Sequence, residues 1–151
     1  MVNFNFTIEG EEQVGRMLSR VTDKIDDMAP FWEAAGSMLV TTVGEQFDTQ
    51  GGRTGGWAPL SPQYAIDKAR KYGSQPILVA SGAMRASLMG GSGNISRQIS
   101  EGLVFGTDVS YARYHQTGTT RMPQRRILDL TSDDRRAMMK LMQRHLFGAK
   151  L

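Results

Sequence analysis

Cysteine is absent from this chain of 151 residues. That excludes disulfide staples, thiolate metal sites and a cysteine nucleophile, and it gives no sign of an oxidising compartment. Histidine occurs twice, at His115 and His145. The two lie too far apart in sequence to gather ligands on one helix face or turn, so no metal site is expected. No apolar run approaches the ~20 residues that cross a bilayer, so no membrane partner is expected either. The opening stretch MVNFNFTIEGEE alternates apolar with polar residues and then turns acidic. It resembles neither a signal peptide nor a transit peptide.

The charge that is present is unevenly placed. Residues 1–110 carry 9 basic and 12 acidic side chains, a net of −3, and residues 111–151 carry 9 basic and 3 acidic, a net of +6. Such asymmetry suits a nucleic-acid face, or electrostatic complementarity between neighbouring subunits. Ten methionines add side chains that adapt to irregular partners.

The length fits a single domain, 1–151. Val2, Phe4, Phe6 and Ile8 alternate with polar residues and predict a strand. Val14, Met17, Leu18, Val21, Ile25 and Met28 follow helical spacing. A second helix after Pro30 carries Phe31, Ala35, Met38, Leu39, Thr42, Val43 and Phe47 on one stripe. Residues 50–60, QGGRTGGWAPL, predict a loop. Gly51, Gly52, Arg53, Gly55, Gly56 and Trp57 form its expected mobile part, with Trp57 and Leu60 pinning it back to the body. Ser61 and Pro62 open a helix through Tyr72. Ile77–Val79 is expected to be extended, and Ser81–Met89 a brief helix. Residues 95–99 and 103–107 predict a hairpin. Arg126–Leu130 is expected as a final strand. Thr131 or Ser132 caps a last helix whose inner stripe is Met138, Leu141, Met142 and His145. The sum is an α+β fold, with a small antiparallel sheet packed with two N-terminal amphipathic helices and a C-terminal helix.

Signatures of chemistry fail on specifics. Gly51 and Gly56 have the opening spacing of a phosphate loop, but Trp57-Ala58 stands where Lys-Ser/Thr is required. Gly91 and Gly93 begin a dinucleotide fingerprint, which Ser96 breaks at its third glycine. Ser81 has neither a nucleophile elbow nor a lysine three residues on, and helix capping explains it more simply. The pairs Asp26-Asp27 and Asp133-Asp134 fall at helix ends, where the helix dipole and solvent account for them. His115 as a general base lacks an evident partner. The chain is therefore expected to have no catalytic residue and no cofactor. The cluster Tyr111, Arg113, Tyr114, His115, Arg121, Arg125 and Arg126 is the candidate contact surface. It suits a protein interface, a solvated basic face, or phosphates with stacked bases, in that order, because no nucleic-acid-binding signature accompanies it.

Four segments in succession carry a resemblance: FDTQGGRTGGWAPLSPQYAIDKAR, PILVASGAMRASLM, GTDVSYARYHQTGT and MPQRRILDLTSDDRRAMMKLM. They resemble the virion morphogenesis, or tail-completion, family of contractile-tailed phages and, more distantly, minor tail or neck proteins of phages with long non-contractile tails. Trp57, Pro59, Leu60, Ser61, Tyr64 and Lys68 match the first motif. Leu78, Ser81, Gly82, Met84, Ser87 and Leu88 match the second. Tyr111, Ala112, His115, Gln116 and Gly118 match the third, and Pro123, Arg125, Leu128, Leu130 and Asp134 the fourth. Arg126-Ile127 stands where many relatives carry Pro-Phe. The resemblance implies a structural virion protein of tail completion or head–tail joining. It implies a ring of copies of itself, six-fold by family context, at the neck or the head-proximal tail end. Expected neighbours are head–tail connector, tail terminator or tail tube proteins, and the expected location is the virion, with the host cytoplasm during assembly. The alternative is a nucleic-acid-binding module that contacts DNA, nonspecifically, through the basic 111–151 segment. On the assembly reading, Arg125→Glu is expected to leave folding intact and to prevent assembly.

Overall fold

Helix α1 (Glu11–Asp26) starts the part of the chain that the structure, a computed structural model, describes, residues 10–148. The strand expected at Val2–Ile8 lies outside those residues. Helix α2 (Ala29–Asp48) follows at once, with Pro30 in its first turn, where a missing N–H costs nothing. At 20 residues it spans about 30 Å and runs through the fold. Its stripe is buried as expected at Phe31, Ala35, Thr42, Val43 and Phe47. Val43 and Phe47 join Trp57, Met84, Leu88 and Ile127 in one apolar core.

Helix α3 (Pro62–Tyr72) is capped by Ser61, whose Oγ accepts from the N–H of Tyr64 at 3.4 Å. Helix α4 (Ala83–Leu88) buries Met84 and Leu88 against α2. Strands β1 (Asn94–Ile99) and β2 (Gly102–Thr107) pair antiparallel with Ile99 opposite Gly102, the hairpin that the sequence predicts. Helix α5 (Ala112–Thr117) is short, and α6 (Ser132–Phe147) closes the described chain by packing on α2 and α1. His145 lies half-buried on the inner stripe of α6 and donates from Nε2 to the carbonyl of Lys24 at 2.8 Å. The architecture is α+β, with N-terminal and C-terminal helices around a two-stranded antiparallel sheet.

Three expectations are corrected. Arg126–Leu130 is not a strand. Its backbone is instead held by the amide side chain of Gln116: Oε1 accepts from the N–H groups of Ile127 and Leu128 at 2.9 and 3.0 Å, and Nε2 donates to Leu128 O at 2.7 Å. One side chain thus supplies the partners that a neighbouring strand otherwise provides. Ile77–Val79 forms a turn rather than an extended run, with Leu78 at φ 62° and the N–H of Val79 donating to Pro76 O.

The loop at 51–57 is tied to the body rather than loose. A 3-10 turn occupies Gly52–Thr54. Arg53 bonds Glu45 at 3.0 Å and Asp134 at 2.5 Å, and the indole N–H of Trp57 donates to Arg126 O at 2.8 Å. Gly51 closes α2 with φ 82°, and its N–H bonds back to Gln46 O. A Cβ there lies 2.5 Å from Trp57 Cδ1, so Gly51 fits where no other residue does. Gly51→Ala should therefore cost about 2 kcal/mol, the left-handed penalty plus displacement of a core indole. A shift of the urea midpoint with unchanged m-value is the expected readout.

Most of the apolar stripe of α1 stays exposed. Val14, Met17, Leu18 and Ile25 are 55–62% exposed, and no residue of the helix is buried.

Candidate functional site

The four motif segments meet around one open groove of about 920 Å³. Its floor and walls come from residues 59–61, helix α3, the turn at 78–82 leading into α4, helix α5 and the loop at 121–125. Several motif residues act inside the walls. Lys68 is buried and donates from Nζ to Gln75 O at 3.0 Å and also to Pro76 O, fastening the 75–76 turn to α3. Burial holds its ammonium below the ordinary lysine value. Ser87 Oγ bridges Met84 O and Thr107 Oγ1, joining α4 to the hairpin.

Arg125 is the largest departure from expectation. The sequence places it in the contact cluster, yet it is only 5% exposed. Its Nε donates to Ala58 O at 2.8 Å and one terminal nitrogen to Pro59 O at 3.0 Å. These bonds lock the loop after Trp57 against the 121–125 loop. Burial lowers the pKa of the guanidinium, and Tyr64 works in the opposite direction. The expectation that Arg125→Glu leaves folding intact is thereby overturned, because the residue is an internal strut with both carbonyls depending on it.

His115 is half-buried beside it. Burial first, and then the charge of Arg125, hold the imidazole below its ordinary 6.5, so the neutral form dominates at pH 7. Its carbonyl accepts from the Arg125 N–H at 2.8 Å, while Nδ1 is buried without a hydrogen-bond partner among the described residues. Tyr111 stands edge-on to the ring, with centroids 6.2 Å apart.

Of the seven cluster residues, Tyr111, His115, Arg121 and Arg125 line the groove. Arg113, Tyr114 and Arg126 do not. Arg113 lies over the ring of Tyr114 at 4.7 Å and bonds its hydroxyl, and Arg126 faces Asp129 at 3.6 Å. Tyr111, Arg113, Tyr114, Arg121 and Arg126 are exposed, as a contact surface requires. The cluster reading missed Tyr64, Tyr72, Leu78 and Met122, which also line the groove. Tyr64 and Leu78 carry a signal as motif residues; Tyr72 and Met122 carry none beyond being aromatic or apolar near a turn. Among the described residues no acidic side chain lines the groove, whereas Lys68, Arg121 and Arg125 do, so its lining is positive. Among the described residues, no cluster of His, Asp and Glu has the arrangement of a metal site.

No curated protein and no solved structure matches the chain. The phage virion morphogenesis family does match, over residues 10–147, a span from the start of α1 to the end of α6 that takes in all four groove-forming segments. On that match the chain belongs to the phage virion morphogenesis family.

Proposed function

We propose that the chain is a structural part of the virion that acts in tail completion or head–tail joining, assembling as a ring at the neck or the head-proximal end of the tail. One observation carries this reading: the segments that mark the family converge on an open, apolar and cationic groove rather than on an acid–base constellation. His115 faces no carboxylate there, so the groove favours binding over proton transfer. Six copies, and connector, terminator or tube proteins as neighbours, belong to the same proposal. A ring needs two different faces on each subunit, and the −3 and +6 portions of the chain supply opposite charge for them.

The test is the particle made without this protein. Filled heads beside complete, unattached tails are the expected result for a joining role, and tails of irregular length for an end cap. Normal infectious particles overturn the proposal. The second reading, a DNA contact through the exposed Arg113, Arg121 and Arg126, is favoured only by their charge. It requires DNA affinity that falls steeply with log salt, by about 0.9 in log K per phosphate contact for each decade. A flat, weak salt dependence is the expected outcome and eliminates it.

A further inference from the structure

Two surfaces that the described residues leave unfilled complement one another. One is the apolar face of α1, where Val14, Met17, Leu18 and Ile25 all stand more than half exposed. The other is the groove, whose apolar and aromatic walls include Tyr64, Leu78 and Met122. A 16-residue helix is marginal by itself in water, and this one buries none of its residues. Its packing partner is α6, to which His145 ties the Lys24 carbonyl, so α1 is fastened away from the helices that build the groove.

Charge makes the pair directional. At helical spacing, Glu11 and Asp26, at opposite ends of α1, fall on one flank of its apolar face, and Lys24 falls on the other. Neither acid forms an ion pair among the described residues. The groove offers Arg121, exposed and equally without an ion pair among the described residues, and no acid to oppose an incoming carboxylate.

We infer that the groove receives helix α1 of a second copy of this chain. The apolar face of α1 enters the groove and its acidic flank meets Arg121. The contact is heterologous: ridge and groove are different surfaces, so every subunit gives one and receives one. Such contacts propagate into a closed ring when the rotation closes. This rests on the reading of the chain as a self-assembling virion part and names the two halves of its subunit interface.

The absence of native cysteine makes a clean test. Leu18 and Tyr64 are both exposed, so a Leu18→Cys/Tyr64→Cys double variant should fold normally. Particles assembled with it are treated with a short bis-maleimide cross-linker. A ladder of covalent multimers is expected, with at most dimers from either single variant. A control pairing Tyr64→Cys with Met139→Cys, exposed on α6, should give no ladder. Leu18→Glu should keep the helical circular dichroism spectrum yet lower incorporation into particles by at least about ten-fold, the equivalent of a modest loss of contact free energy. If the double variant enters particles and no ladder forms, the α1–groove contact is wrong while the virion role stands. If the unmodified protein is absent from particles, the virion role itself is wrong, and the contact falls with it.

Discussion

Replacing Arg125 by glutamate should lower the unfolding free energy by about 4 kcal/mol, the scale of stranding a charge inside a protein. The wild-type guanidinium gives two bonds to the carbonyls of Ala58 and Pro59 from a nearly closed position. Glutamate removes both donors and turns a carboxylate towards those carbonyl oxygens. Repulsion then adds to the desolvation of three acceptors. Arg125→Lys keeps the charge but cannot reach two carbonyls from a planar fork, so a loss of about 1–2 kcal/mol is expected. Urea denaturation followed by circular dichroism measures both. An unchanged midpoint for Arg125→Glu contradicts the internal role assigned here. With the expected loss of stability, failure of that variant to assemble is no evidence about the interface, because the subunit itself is damaged. Arg121→Glu is the informative surface probe: its side chain is exposed, and its stability should stay within about 0.5 kcal/mol of wild type.

Asp134→Ala should cost about 3–4 kcal/mol through two linked losses. Asp134 closes a capping box on α6. Its Oδ2 accepts from the Thr131 N–H at 2.8 Å and from the Thr131 hydroxyl at 2.7 Å, and Thr131 Oγ1 accepts from the Asp134 N–H. Its other oxygen takes the guanidinium of Arg53, which thereby anchors the 51–57 loop to α6. Removing the carboxylate takes away the acceptor of the Thr131 N–H and hydroxyl, opening the capping box, and leaves Arg53 with Glu45, a partner that is more than half exposed, and a long bond to Thr42 O.

The same site gives the fold an acid limb. Burial tends to raise the Asp134 pKa, but the bonds from Thr131 and the bond and charge of Arg53 outweigh it and hold the value below the usual 3.8. The unfolded chain therefore binds this proton at higher pH than the folded one. The contribution of Asp134 is complete above about pH 3.8 and is lost as pH falls through the lower folded value. Asp134→Asn should flatten the stability–pH curve in that window. A curve as steep as that of wild type assigns the acid sensitivity to other groups.

Local chemistry made much of the fold legible. Ser61 and Thr131 cap the helices expected of them, Pro30 sits in the first turn of α2, and the 94–107 hairpin matches its alternation. Each of these signals acts within a few residues of itself. Arg126–Leu130 misled because a short run with Ile127, Leu128 and Leu130 suits any half-buried extended segment, and only the position of Gln116 settles what pairs with it. The glycines of 51–56 suggested looseness for a similar reason. Backbone freedom is visible in sequence, whereas the restraint comes from Glu45, Asp134 and Arg126, which touch the loop from three directions. The stripe of α1 showed an amphipathic helix correctly and gave no warning that the described residues leave much of that face exposed.

By itself, the amino-acid order determined every helix but the short α5, the caps of α3 and α6, the hairpin and the family motifs, because each is written in neighbouring residues. Only the tertiary structure decided which cations face solvent and which are struts. Arg125 and Arg126 are adjacent and chemically identical, yet one is buried against Ala58 and Pro59 while the other is exposed. That choice depends on segments more than sixty residues apart in sequence meeting in space. No local pattern carries such information, since the cost of burying a charge is set by whatever carbonyls the fold happens to bring to it.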